Sequence, residues 1–243
     1  MSSAPASPEI VAVRYGEREF TVPVVRTARR TLAITVYPDG TVVARAPRAA
    51  TSEAITLRIQ RRAPWIARQL ADLARYEPKT PPRKFVRGES HRYLGRQFML
   101  KVEPALKDGV HLHRPYLVVT VRDDVSPAKV KELLGKWYHT RAKVIFEMAW
   151  HRCLPQVARL GIETQGFAVR AMPGRWGSCP PSGRVLLNPE LVKAPTECID
   201  YVILHELCHL KHPNHGREFF ALLTRLCPLW PHLKDRLNRY AEA

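Results

Sequence analysis

Residues 196–220 read TECIDYVILHELCHLKHPNHGREFF, a stretch that combines a helical apolar pattern with four histidines. The apolar positions at helical spacing are Ile199, Val202, Ile203, Leu207 and Leu210. We therefore predict a buried helix that is capped by Thr196 and ends near Lys211. His205 and His209 lie four residues apart and share one face of this helix, so their imidazoles can converge on one metal ion.

Glu206 follows His205 directly and lies about 100° further round the helix. Its carboxylate is then placed to reach a water on the metal rather than the metal itself. Zinc peptidases with the pattern H-E-x-x-H use this arrangement, in which the glutamate is the general base. The pattern predicts a Zn²⁺ site and hydrolysis of a peptide bond by a zinc-activated water. The alternative is a chance match whose histidines make ordinary hydrogen bonds.

The third metal ligand is expected a short distance downstream. Pro213 disfavours helical geometry at His212, and Asn214 tolerates a left-handed conformation that reverses the chain. Such a turn can bring His215 back towards the metal, at the same offset as the third histidine of the metzincin pattern. We favour His215, while His212 and a downstream carboxylate such as Glu218 remain open.

The N-terminal part of the chain has the alternating pattern of strands over residues 10–47. A helix is predicted over residues 51–76, and Pro64 is expected to kink or divide it. Residues 77–84 (EPKTPPRK) have the composition of a linker and mark the predicted internal boundary.

Beyond this boundary the pattern again predicts strands before helices. Short strands are expected within residues 85–102, 110–121, 162–171 and 184–187, a long helix from Ser126-Pro127, and two short helices at 217–226 and 229–240. Strands first and helices later are typical of an α+β fold rather than of alternating βαβ units.

Two segments upstream of the histidines are candidates for the walls of a cleft. We predict an edge strand to which an extended peptide adds by backbone hydrogen bonds, with Arg184, Val185, Leu186, Leu187 and Asn188 as the substrate-binding residues. Residues 175–179 (RWGSC) either line the cleft or, as we favour, close a tight turn beside the sheet. Cys179 and Cys208 are interpreted as packing thiols. Tyr201, His151 and Tyr240 are candidate oxyanion donors.

The charge of the chain is strongly basic and unevenly distributed. Lys and Arg number 39 against 22 Asp and Glu, which gives a net charge of +17. Residues 196–243 carry 6 basic and 6 acidic residues, so the excess lies in the N-terminal and middle regions. These regions could attract nucleic acid. The alternative is that the basic side chains only form a solvated surface without a specific partner.

The composition also restricts where the protein is expected. No apolar stretch approaches the roughly 18 residues that a membrane helix needs, so no membrane partner is predicted. The first residues lack the basic and apolar regions of a secretory signal. The 5 cysteines form no close pair, which favours a reduced, cytoplasmic protein over a disulfide framework. The sequence leaves the oligomeric state open.

The sequence resembles the YgjP-like zinc metallopeptidases and, more distantly, SprT-like zincins. The resemblance is carried by residues 175–179, Gly183, Leu187-Asn188, Leu191, residues 200–202, 205–209, Asn214-His215 and Phe219, and more loosely by residues 30–47, Trp65-Ile66 and 93–95. Residues 216–220 depart from the Ser-x-x-Phe-Trp that often follows the third histidine in this family. The resemblance implies a zincin-like domain with three histidines on zinc, and it implies no particular substrate.

The predicted organisation has three parts. Residues 1–9 are expected to be disordered, residues 10–84 to form an N-terminal β-rich region with a helix and linker, and residues 85–243 to form the zincin-like metallopeptidase domain. The favoured function is a zinc metallopeptidase that acts on protein or peptide substrates. The alternative is a basic, nucleic-acid-associated binding protein with a structural or vestigial zinc site, which would need a fourth protein ligand from Cys179, Cys208 or His212. By analogy with the SprT-like enzymes that the sequence distantly resembles, the two can also combine, as a protease for DNA-bound proteins.

Overall fold

The computed structural model describes residues 9–37, 40–74 and 83–240, without the side chains of Asp72 and Leu73. Most of the predicted disordered N-terminus and of the predicted linker lies outside these residues, as do the last two residues of the predicted first helix. Glu9, which was expected to be disordered, already belongs to a strand. The chain divides into two compact units, Met1–Pro81 with Glu242–Ala243, and Pro82–Ala241.

The first unit is a four-stranded sheet covered by one helix. Its elements are β1 Glu9–Tyr15, β2 Arg18–Thr27, β3 Ala33–Val36, β4 Val42–Pro47 and α1 Ser52–Ala74. The strand order is β1-β2-β4-β3, in which β2 and β4 are parallel and the other pairs antiparallel. Alternate residues of β4 are buried, as the period of two predicts, and they pack with one face of α1 around Ile59 and Ile66.

Helix α1 begins as predicted but is not divided. The Thr51 hydroxyl accepts a hydrogen bond from the Ala54 N–H at 3.3 Å, which caps the first turn. The helix continues through Pro64 to Ala74, so the expected division at this proline is wrong, while the expected kink stays a prediction. Pro64 and Gln60 are both exposed, so water can reach the Gln60 carbonyl that lost its helical donor.

The second unit contains two sheets. The larger comprises β5 Ser90–Tyr93, β6 Arg96–Pro104, β7 Gly109–His113 and β8 Tyr116–Val121, in the order β5-β6-β8-β7. The smaller comprises β9 Phe167–Val169, β10 Gly177–Ser178 and β11 Val185–Leu187, in the order β10-β11-β9. The strand predicted over residues 162–171 is therefore shorter than expected.

The helices of the second unit support the site. They are α2 Pro127–Ala158, α3 Thr196–Cys208, α4 Arg217–Leu226 and α5 Trp230–Asn238, with a short 3-10 helix at Pro189–Lys193. Helix α3 is buried on nearly all sides, and its apolar residues share one core with α2. Thr196 is its first residue and not its cap, because Pro195 takes the cap position without a side-chain hydrogen bond.

The strand and helix content confirms the predicted α+β class. Across the described ranges, no helix has both the length and the apolar character required to cross a bilayer.

Candidate metal centre

Three imidazoles converge where α3 ends. The candidate ligand atoms of His205, His209 and His215 all lie within 4.8 Å of one another. The Nε2 atoms of His205 and His215 are 3.0 Å apart. The structure thus brings together the three histidines that the sequence singled out, and their role as ligands stays a prediction.

The turn after α3 accounts for this convergence. Regular helix ends at Cys208, but the N–H groups of Lys211 and His212 both donate to the Cys208 carbonyl and add one further turn. The chain then reverses before α4, and the Gly216 N–H donates to the Asn214 carbonyl at 2.8 Å. His215 is thereby returned to the end of α3, after the stop that Pro213 indicated. Asn214 has no positive φ, so the expectation of a left-handed conformation there is wrong.

The two alternative third ligands lie elsewhere. The Nδ1 atom of His212 is 3.4 Å from the Glu218 carboxylate, so these side chains face each other rather than the cluster. The backbone of His212 has a different function, because its carbonyl oxygen lies 3.3 Å from Nδ1 of His209. An Nδ1–H donated to this carbonyl leaves Nε2 of His209 free to bind a metal.

The electrostatics of the cluster favour neutral rings. Burial, together with the neighbouring His209 and His215, lowers the pKa of His205 to about 3. Burial also lowers the pKa of His209 and of His215. Metal ligation requires neutral imidazole, so a set of three converging nitrogen donors fits zinc. The buried Nδ1 of His205 has no hydrogen-bond partner among the described residues.

Phe219 of α4 supports all three histidines. This side chain is fully buried, and its ring centroid lies 5.0 Å from that of His205 and 4.6 Å from those of His209 and His215. In the sequence, Phe219 was singled out only as part of a family resemblance. Its contact with every ring of the cluster is a feature that depends on how α4 packs against α3.

Glu206 is a buried carboxylate beside the cluster. The residue is 7% exposed. Burial raises the pKa of Glu206 to about 7, although the charge of Arg175 opposes the shift. Its side chain packs against Gly177 of β10, where an added Cβ would lie 2.7 Å from Cγ and from Oε1.

A cleft of about 700 Å³ connects these groups to solvent. Its wall includes residues 174–181, together with Glu206 and the three histidines. The segment 175–179 therefore lines the cleft, where a purely structural turn had been favoured. Cys179 is partly buried, and burial raises the pKa of its thiol to about 11, which keeps it protonated at neutral pH.

The prediction that residues 184–188 form an edge strand is wrong. Strand β11 lies in the middle of its sheet, paired with β10 on one side and with β9 on the other. Its backbone groups are already engaged, and Val185 and Leu187 are fully buried. The strand at the cleft edge is β10 instead.

Asn188 has a structural position. It is 6% exposed, and its side-chain amide donates to the carbonyls of Met172 at 2.7 Å and Arg175 at 2.8 Å. Its own N–H donates to the Trp176 carbonyl at 2.9 Å. Asn188 therefore holds the segment that leads into β10.

The three candidate oxyanion donors differ in their position relative to the cleft. Tyr201 lines the cleft, with its ring centroid 5.9 Å from that of His205. The Tyr240 hydroxyl donates to the Gly95 carbonyl at 3.4 Å, and His151 pairs with Glu147 on the surface of α2. Sequence reasoning missed two polar lining residues from α5, Lys234 and Asn238, because nothing in their local pattern distinguishes them from solvated helix residues.

Comparison with known proteins identifies one family. No curated protein gives a significant match. The family model described as YgjP-like, metallopeptidase domain, matches residues 30–240. This range covers most of the chain and includes the histidine cluster, Glu206 and the cleft wall. The chain therefore belongs to the YgjP-like family of metallopeptidase-domain proteins.

Proposed function

We propose that the protein is a zinc-dependent peptidase in which His205, His209 and His215 hold the metal and Glu206 is the general base. The observation that carries this proposal is the convergence of three imidazoles beside a buried carboxylate in one open cleft. Family membership supports the coarser assignment as a metallopeptidase. The roles of the individual residues and the identity of the metal are part of what we propose.

The three histidines supply neutral nitrogen donors, which suit zinc. The chemistry supplied by a bound zinc ion is Lewis acidity, which polarises a carbonyl and makes water easier to deprotonate. The Phe219 ring packs against all three imidazoles, and the His212 carbonyl orients His209.

Glu206 moves the proton. It lies at the same cleft as the histidines, and its contact with Gly177 limits the positions that its carboxylate can take. From there it accepts a proton from the attacking water and passes it to the leaving amine. Tyr201 is the remaining candidate to donate a hydrogen bond to the developing oxyanion, since it alone of the three predicted donors lines the cleft.

The geometry favours a catalytic site over a closed structural one. A structural zinc site uses four protein ligands, whereas a catalytic site keeps one position open. Within the described residues, the metal-binding group contains three histidines, and Cys179, Cys208 and His212 are outside it. A buried glutamate beside the ligands also has no purpose in a purely structural site.

The substrate is proposed to be a protein or peptide that enters in extended form. Strand β10 borders the cleft and pairs with β11 on one side only, among the residues described. An extended peptide can therefore add beside Gly177 and Ser178 by backbone hydrogen bonds. This placement replaces the predicted docking on residues 184–188.

The test compares Glu206→Gln with Glu218→Gln. Both remove one carboxylate near the cluster, but Glu218 is exposed and faces His212. We expect Glu206→Gln to retain zinc by metal analysis and to lose hydrolysis of a labelled unfolded protein, whereas Glu218→Gln retains both. Undiminished hydrolysis by Glu206→Gln would remove Glu206 as the base, and purified protein that binds no zinc would overturn the metal assignment.

A further inference from the structure

The first compact unit contains a groove that the metal centre does not use. It lies where α1 crosses β3 and has a volume of about 450 Å³. Its lining residues are Thr31, Leu32, Ala33, Ile34, Arg58, Arg61, Arg62 and Trp65. Three of these are arginines and none is acidic, so the groove carries concentrated positive charge.

One face of α1 supplies the charged side of the groove. Arg58, Arg61, Arg62 and Trp65 follow the spacing i, i+3, i+4, i+7, which places them side by side on a helix. All three arginines are exposed, and their guanidinium groups have no hydrogen bond or ion pair with any described residue. Ion pairing with the described part of this unit therefore does not account for them.

Trp65 adds an aromatic surface to the same groove. It is 36% exposed, whereas Ile59 and Ile66, on the face of α1 that packs in the core, are fully buried. An exposed tryptophan flanked by arginines combines a flat ring for stacking with donors for phosphate.

The other wall of the groove is the edge of the sheet. Among the residues that the structure describes, strand β3 pairs with β4 alone, since the order is β1-β2-β4-β3. The loop that leads into β3 carries two more basic residues, Arg29 and Arg30, directly before Thr31. Arg29 and Arg30 thus add positive charge on the β3 side of the groove, opposite the arginines of α1.

We propose that this groove binds single-stranded nucleic acid. The arginines contact successive phosphates, and Trp65 stacks on an unpaired base. A single strand fits better than a duplex because the stacked bases of a duplex offer no free face to the tryptophan ring. An acidic protein segment would satisfy the arginines but would need an aromatic residue at the right position for Trp65, whereas every nucleotide carries a base beside its phosphate. This binding is a second property of the chain and does not depend on peptide hydrolysis.

The experiment measures binding of the full-length protein to a fluorescently labelled oligothymidylate by anisotropy, as a function of salt. Three phosphate contacts predict a slope of log K against log salt of about −2, so a roughly fourfold rise in salt weakens binding about 15-fold. The triple change Arg58→Gln, Arg61→Gln and Arg62→Gln is expected to abolish this dependence. Trp65→Leu is expected to weaken binding about tenfold with an unchanged slope, and Trp65→Phe to restore most of it.

A matched control separates a built groove from diffuse charge. Arg14 lies on β1, at the opposite edge of the same sheet, and is exposed. Arg14→Gln removes the same charge as Arg61→Gln, and we expect only Arg61→Gln to weaken binding measurably. Equal losses in these two variants would overturn the groove. Because both arginines are exposed, neither change is expected to affect folding, which thermal unfolding monitored by circular dichroism verifies.

Competition identifies the class of ligand. Unlabelled oligoadenylate is expected to displace the probe, since every base has a stacking face. If polyglutamate or phosphatidylserine vesicles bind as tightly as the oligonucleotide and Trp65→Leu leaves their binding unchanged, the surface is a docking site for an acidic protein or a membrane, and the proposal is overturned.

Discussion

The backbone of Gly177 lies directly against the side chain of Glu206, so closely that an added methyl group would be 2.7 Å from its Oε1 atom and 3.0 Å from Cδ. Glycine at this position brings the edge strand β10 up to the proposed catalytic carboxylate. The strand that borders the cleft and the group that moves the proton are thereby positioned by one contact.

Gly177→Ala is expected to displace Glu206 and to lower hydrolysis by about 100-fold, because small misplacements of a catalytic group have effects of this size. Zinc content should remain unchanged, since no ligand is touched. The matched control is Gly135→Ala on α2, where an added Cβ meets nothing within 4 Å. Full activity in Gly177→Ala would contradict the role of this contact. The measurement is kcat/KM together with metal analysis.

His215→Ala is expected to lower zinc affinity by more than about 100-fold, because even the hydrogen-bonding partner of a ligand is worth about 10–100-fold. His212→Ala should retain wild-type affinity, since His212 supports His209 through its backbone carbonyl. A competition titration with a chromogenic chelator measures both variants. The reverse order of affinities would show that the third ligand is wrongly assigned.

Phe219→Ala is expected to lower the free energy of unfolding by about 3–5 kcal/mol, as for other buried phenylalanines. Phe220→Ala, one position along the same helix and partly exposed, should cost clearly less. Urea unfolding of chelator-treated protein measures the packing effect without the metal. Similar losses for the two variants would contradict the supporting position of Phe219.

Asn188→Ala is expected to destabilise the protein by about 1–3 kcal/mol, because the carbonyls of Met172 and Arg175 lose a buried donor. Asn188→Asp should be worse, since a carboxylate has no N–H to give and would face two carbonyl oxygens. Thermal unfolding ranks the two variants. A stable, active Asn188→Asp would exclude the positioning role of this amide.

Glu89 is expected to make stability dependent on pH. Burial raises the pKa of Glu89, but hydrogen bonds from the Lys84 and Phe85 N–H groups and the contact with His91 outweigh it, so the pKa lies below its ordinary value. A lowered carboxyl pKa contributes stability above the unfolded value, near 4.3, and this contribution is lost as pH falls through the folded value. Glu89→Gln should therefore cost about 1.5–3 kcal/mol near neutral pH and progressively less in acid.

Urea unfolding at several pH values checks this expectation. Glu147→Gln, an exposed change on α2, is the control and should shift stability by less than about 0.5 kcal/mol. A Glu89→Gln penalty that stays constant into acid would contradict the assigned pKa direction.

The histidine cluster was predictable because its geometry is local. Helical spacing placed His205 and His209 on one face, and Pro213 indicated where the helix stops before the turn that returns His215. The turn forms without the left-handed conformation expected at Asn214. The contact between Gly177 and Glu206 was not predictable, since it joins residues that are distant in sequence. The position of β11 was misjudged for a related reason. Strand order is a property of the whole sheet, although the uninterrupted apolar run Val185–Leu187 is typical of a strand with both faces covered.

The three imidazoles and the Phe219 ring that packs against them all come from residues 205–219. Closing so short a loop costs little chain entropy, whereas bringing distant segments together costs more and takes longer. The proposed capture of a cation is thus a local property of this sequence, while positioning the proposed general base requires the completed tertiary structure. An excised peptide over these residues would be expected to retain affinity for the ion and to be inert as a catalyst.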